Sequence, residues 1–158
     1  IVQADLNNAA WAEGLPELQL DAALTATALH WLSEDTVRRL YSDLAGLVRR
    51  GGVLAHTEQM PLAELPLLGS ALAEIEQRRQ TGTEGRQRRW DAWWEQASRD
   101  PALQPAMTQR HLVFGTGYPI EEFSPPADWH VAALRDAGFT EAGDLWRSGA
   151  SAVVVAVR

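Results

Sequence analysis

The sequence contains no cysteine and no lysine. Without cysteine there is no disulfide, no thiolate nucleophile and no thiolate-bound zinc. Without lysine there is no Schiff base and no phosphate-gripping lysine of the kind that closes a nucleotide loop. Positive charge is scarce as well. The 14 basic residues are all arginine and face 21 acidic ones, a formal net charge of −7. That balance argues against a nucleic-acid partner, because phosphate neutralisation drives such binding. No apolar run approaches the roughly 18 residues that span a bilayer, and no signal peptide opens the chain, which points to a cytoplasmic protein with no membrane partner. An initiator methionine is also missing, since the chain opens Ile1-Val2-Gln3-Ala4-Asp5 inside an apolar run.

What is present reads as an ordinary globular chain. The length is 158 residues, 46% hydrophobic and 22% charged, enough to bury roughly 70% of the surface exposed by the unfolded chain. Residues 1–5 read as a short strand ending on Asp5. Asn7-Asn8, Gly14 and Pro16 mark a loop over 6–19. Residues 20–27 read as a second, mostly buried strand. Ser33 offers an N-cap, followed by Glu34 and Asp35 in the first helical turn. Val37, Leu40, Tyr41, Leu44, Leu47 and Val48 then recur at helical spacing. Arg49-Arg50 sit near the expected helix end and Gly51-Gly52 stop it. Val53–Thr57 is a third strand. Strands alternating with a helix of this length predict a βαβ unit and a parallel sheet.

Residues 58–126 change character and predict a mostly helical insertion. Leu68, Leu72 and Ile75 have helical spacing, as do Trp90, Trp93, Trp94 and Ala97. Pro101, Pro105, Pro119, Pro125 and Pro126 mark irregular connections. From Ala127 the α/β pattern returns: a helix to Ala137 closed by Gly138, a strand over 139–147, a short turn, and the apolar strand Ser151–Val157, which should be buried on both faces. A turn this short makes the last two strands an antiparallel hairpin.

Three stretches together resemble a known family: Ala4-Asp5-Leu6; Leu20 through Leu32, with Leu29-His30-Trp31-Leu32; and Gly51-Gly52-Val53-Leu54. They are similar to the later half of class I S-adenosylmethionine-dependent methyltransferases, closest to the trans-aconitate methyltransferase type that acts on small molecules. The likeness extends over 1–57 and 127–158, with 58–126 matching only as a variable insertion or lid. One departure is Arg50, where the family usually has proline before the glycines. The fold implied is α/β, a partial Rossmann-like methyltransferase sheet with a C-terminal antiparallel hairpin. The cofactor implied is S-adenosyl-L-methionine, bound at the carboxyl ends of the strands as open α/β sheets require.

Residue by residue, the resemblance implies that Asp5 accepts from the adenine amino group and that Leu6 lies against the ring. Thr25 and Ala26 would present backbone to the methionine part of the cofactor. His30 and Trp31 would line the route to a small-molecule methyl acceptor, with Trp90 and Trp94 as further walls of that pocket. His30 is also the candidate general base, since imidazole titrates near neutrality. The plain alternatives are a loop cap for Asp5, a pocket wall or structural role for His30, and core packing for the tryptophans. His56, His111 and His130 read as structural, with no metal-ligand spacing. Arg86, Arg88 and Arg89 read as a solvated helix start. Exposed tryptophans of the insertion would suit a homodimer.

The family's glycine-rich cofactor loop and ribose-binding acid belong before residue 1, and Gly115-Thr116-Gly117 is no substitute. The expectation is therefore that roughly 80–110 further residues precede Ile1 or form a separate chain. A competing reading is a non-catalytic methyltransferase-like binding module or fragment. A dehydrogenase is a third, but it leaves Ala4-Asp5-Leu6 and Leu29-His30-Trp31 unexplained. A Gly-x-Gly-x-Gly loop just before Ile1 would decide for the methyltransferase.

Overall fold

A computed structural model describes residues 2–13, 15, 19–79, 92–114 and 122–158. They fall into two compact units: residues 1–72 with 122–158, and residues 73–121.

The first unit is built on a sheet of four strands: β1 (Leu20–Ala26), β2 (Val48–Gln59), β3 (Glu141–Ser148) and β4 (Ser151–Val157), in the order β1-β2-β4-β3. β1 and β2 are parallel and joined by helix α1 (Glu34–Leu47). β4 runs antiparallel to both β2 and β3. The expected βαβ unit and closing hairpin are therefore both present. Ser33 caps α1 by accepting from the Thr36 amide at 3.3 Å, which satisfies one of the helix's unpaired N–H groups. The helix buries Val37, Leu40, Tyr41 and Ala45. A later helix, Ala127–Asp136, lies on the same layer and ends where Gly138 adopts φ 102°. There the Gly138 amide bonds Arg135 O and the Phe139 amide bonds Leu134 O, closing the helix.

The core sits between these helices and one face of the sheet. Leu54 on β2 and Ala152, Val154 and Ala156 on β4 are buried in it, with Leu40, Tyr41, Leu134 and Phe139 from the helical side.

Several expectations need correction. Residues 2–5 form no strand. A strand exists only by pairing, and among the described residues β1 is bonded to β2 alone. β1 is therefore a largely exposed edge rather than a buried strand, with Leu24 80% exposed. α1 ends at Leu47, and β2 begins at Val48, ahead of Gly51-Gly52. The glycines do not stop the helix; they form an irregularity inside the strand, where the register to β1 shifts between Leu20 and Ala22. Gly51 has φ 73°, and a Cβ on Gly52 would lie 2.7 Å from Val48 Cγ1 and 2.9 Å from Asp21 O. Finally, β4 is not buried on both faces: Ala152, Val154 and Ala156 are, while Val153, Val155 and Val157 are only half-buried. Among the described residues, the helices packed on this sheet cover one face of it.

β2 also runs on to Gln59, so residues 58 and 59, expected in the insertion, belong to the sheet. The second unit takes in the second half of α2 (Pro66–Arg79), the helix α3 (92–99), a short 3-10 turn at Pro101–Leu103 and α4 (Gln104–Phe114). Pro105 falls in the first turn of α4, where proline removes no helical hydrogen bond. The helix Ala127–Asp136 is α5. Among the described residues no helix is long and apolar enough to cross a membrane.

Candidate functional site

The chemistry collects at the carboxyl ends of β1 and β2. Past Ala26 the chain turns through Thr27, whose φ is 46°. A β-branched residue in the left-handed region is a genuine outlier, and such strain concentrates at functional sites. The Thr27 amide is held on Thr57 O at 3.0 Å. The chain then enters a 3-10 turn over Leu29–Trp31, with Leu29 buried in the core as its anchor.

This turn sets His30 beside Glu58 near the end of β2. The distance from His30 Nδ1 to Glu58 Oε2 is 2.8 Å, with 14% of the His30 side chain exposed and 4% of that of Glu58. A carboxylate only accepts, so Nδ1 donates and Nε2 is left as the acceptor of the neutral ring. Glu58 is further held by the Gln59 amide on Oε1 at 3.1 Å. Trp31 lies against the imidazole, ring centroids 4.5 Å apart. From the far end of the chain, the Phe123 amide bonds His30 O at 3.0 Å.

Glu58 was absent from the sequence expectations. The signal for it lies in strand alternation: Leu54, His56, Glu58 and Met60 share the buried side of β2 and its continuation, and a glutamate there demands a partner. His56 occupies the same face, fully buried against His130 with centroids 4.7 Å apart. His130 Nδ1 meets the Tyr41 hydroxyl at 2.9 Å. Burial lowers the pKa of His56 to about 4, against a smaller upward pull from Glu58 and a downward push from His30. Burial, with His56 second, lowers that of His130 to about 3. Burial, helped by Glu58, pushes the Tyr41 phenol up. These three are neutral core groups, in line with the structural reading of His56 and His130. His111 is exposed on α4.

Thr25 and Ala26 line an open, mostly apolar depression of about 310 Å³, together with Leu24, Ala55, Thr57 and Val153. Asp5 is exposed, and its Oδ1 accepts from the Asn7 amide at 2.9 Å and from Asn7 Nδ2 at 3.2 Å. The loop-cap reading of Asp5 is thus realised, and its carboxylate still faces outward. Leu6 is half-buried against the core. Trp94 lies in the second unit, stacked under Arg110 at 4.1 Å and edge-on to Trp93. Trp90, the Arg86-Arg88-Arg89 cluster and Gly115-Thr116-Gly117 lie outside the described residues. Among the described residues no group of three or more His, Asp or Glu side chains could hold a metal ion.

This architecture has relatives among solved structures. An O-methyltransferase family protein from Burkholderia thailandensis superposes with a TM-score of 0.54 at 18% identity, over 99% of this chain and 35% of its own. Human N-acetylserotonin methyltransferase in complex with SAM gives 0.54 at 14% identity, over 99% and 33%. PigF with SAH gives 0.55 at 13%, over 99% and 35%. The chain carries a methyltransferase fold. It spans about a third of the length of each of these proteins. At such identities the shared property is the fold. No protein-family model matches the sequence, and no curated protein does.

Proposed function

We propose that the protein is an S-adenosylmethionine-dependent methyltransferase acting on a protic group, most simply a hydroxyl, of a small molecule, with His30 as general base. The observation that carries this reading is the 2.8 Å contact between His30 and the buried Glu58. A general base is useful only where a proton must leave. An ionised carboxylate acceptor, which the trans-aconitate-type resemblance would suggest, has no proton to remove and would leave the dyad without work. A hydroxyl acceptor uses it fully.

Three of the described residues would hold parts of the cofactor. Asp5 offers an exposed carboxylate on a formed turn, and Thr25 and Ala26 border an open depression at a strand end. When bound, S-adenosylmethionine supplies an electrophilic methyl group on its sulfonium. The chain supplies the proton handling. His30 Nε2 takes the hydroxyl proton while the freed oxygen pair serves the transfer, and Glu58 stabilises the imidazolium through Nδ1–H. Trp31 limits water at the ring. Such general-base help is worth about 10²–10⁴ in rate.

Calorimetric titration of the intact protein with S-adenosylhomocysteine, and product formation with a panel of phenols and alcohols, tests the reading. Binding with turnover that His30→Ala lowers at least a hundredfold supports it. Failure of the intact protein to bind S-adenosylmethionine refutes it and leaves the non-catalytic module.

A further inference from the structure

The Asp5 turn is not self-supporting. Residues 5–13 form a string of local turns, Asn8 N to Asp5 O at 3.0 Å, Trp11 N to Asn8 O at 3.2 Å and Glu13 N to Ala10 O at 3.0 Å. Isolated turns of this kind do not persist in water, because each orders several dihedrals for one weak bond. What fixes them comes from α1, more than 30 residues later. Arg39 donates Nη2 to Leu6 O at 2.9 Å and to Asn7 O at 3.2 Å. One helical turn on, Asp43 Oδ2 accepts from Trp11 Nε1 at 2.8 Å. Positions 39 and 43 share one helix face, so a single rigid surface grips both ends of the loop. Leu6 and Trp11 add apolar contact with the core.

The use of Arg39 is unusual. It is half-buried, makes no ion pair among the described residues, and its Nε is buried without a partner. A desolvated guanidinium is costly unless its bonds matter, and here its bonds go to the carbonyls of the two residues after Asp5. Arginine's planar fork suits two neighbouring carbonyls as lysine's point charge does not.

We propose that Arg39 and Trp11 are positioning residues for the cofactor: clamped to α1, they hold the Asp5–Asn8 turn in the shape that meets the adenine. This rests on the methyltransferase reading above. The clamp acts by pre-organisation. If its loss leaves the turn correctly docked about a tenth of the time, the apparent Kd rises about tenfold.

The test compares the intact wild-type protein with Arg39→Met, Arg39→Lys and Trp11→Phe, by calorimetry with S-adenosylhomocysteine and by steady-state kinetics. Arg39→Met should raise Kd and the KM for S-adenosylmethionine about tenfold while kcat moves far less, since His30 and Glu58 stand on other elements. Arg39→Lys should recover part of the loss. Trp11→Phe keeps an aromatic group against the core while removing the donor, so it carries the test should Arg39→Met fail to fold. Equal Kd values in wild type and in the folded variants overturn the clamp alone. A wild-type protein that binds no S-adenosylhomocysteine overturns the methyltransferase reading and the clamp's ligand with it.

Discussion

Acid should destabilise this protein well before its carboxylates titrate, because two neutral histidines are locked in its core. His56 is fully buried and His130 2% exposed, with pKa values lowered to about 4 and about 3 chiefly by burial. In the unfolded chain both return to the usual histidine value of about 6.5. Between the two limits the unfolded state binds more protons, so stability rises with pH. The contribution is fully present above pH 6.5 and is lost as pH falls towards the folded-state values.

The magnitude down to pH 5 depends only on the unfolded chain, since neither folded imidazole has protonated by then. Each histidine costs about 2 kcal/mol between pH 7 and 5, and the pair about 4. Ordinary carboxylates titrate near 4, so this interval isolates the imidazoles. The assay is urea unfolding followed by tryptophan fluorescence at pH 7, 6 and 5. With an m-value of about 2 kcal/mol/M, the midpoint should fall by about 2 M. His56→Leu is the control. Both ring nitrogens of His56 lack partners, so the substitution removes no hydrogen bond and should be neutral or stabilising at pH 7. It should also remove about half of the acid sensitivity. An unchanged pH dependence in His56→Leu would refute the assignment of His56 as a buried neutral imidazole.

The remaining predictions concern single groups. Glu58→Gln can present its amide N–H to His30 Nδ1, locking the tautomer that carries the proton on Nε2. Methyl transfer should then fall by about 10²–10⁴, measured as S-adenosylhomocysteine formed at saturating substrates. Gly52→Ala places a Cβ 2.7 Å from Val48 Cγ1 and 2.9 Å from two backbone oxygens, and should cost about 1–3 kcal/mol in urea unfolding. Gly46→Ala, in α1 with nothing within 4 Å of the added carbon, should stabilise by up to about 1 kcal/mol. Tyr41→Phe removes the hydroxyl that meets His130 Nδ1 at 2.9 Å. It should cost about 1–3 kcal/mol in the same assay, because a buried ring nitrogen loses its partner.

Local chemistry in the sequence reached the structure, with Val48 of the expected stripe opening β2 instead. The Ser33 cap, the α1 stripe, the Gly138 stop and the closing hairpin each depend on neighbours in the chain, and each was readable from spacing. The failures share one cause. Whether residues 1–5 pair, whether β1 is buried and whether both faces of β4 are covered depend on what lies beside them in space. An apolar run such as Ser151–Val157 does not say which of its faces a helix will occupy. Gly51-Gly52 failed differently: paired glycines signal a backbone irregularity, and both a helix stop and a strand bulge are such irregularities. Of the proposed pair, His30 is legible because it sits in a distinctive string. Glu58 is not, since a lone glutamate after an apolar strand reads as solvent-facing until the alternation set by Leu54 and His56 is followed through to it.

The proposed His30–Glu58 base is assembled by the fold from two unremarkable residues. His30 rides on a three-residue turn, while Glu58 is the last residue but one of strand β2. Four independent restraints converge on that turn. Leu29 anchors it in the core, Thr27 enters it with φ 46°, the Thr27 amide ties its entry to Thr57, and the Phe123 amide caps the His30 carbonyl. The last of these comes from the segment leading into α5, so the imidazole is aimed only once residues 30, 58 and 123 have been brought together. Over such sequence separations no local propensity can form the pair, and partial unfolding of any one contributor should abolish it. Strain at Thr27 is tolerable for the same reason: the surrounding contacts over-determine the conformation. The pair is thus a property of the α/β layer, and loss of the proposed base function should track loss of tertiary packing around β2 rather than loss of helix α1.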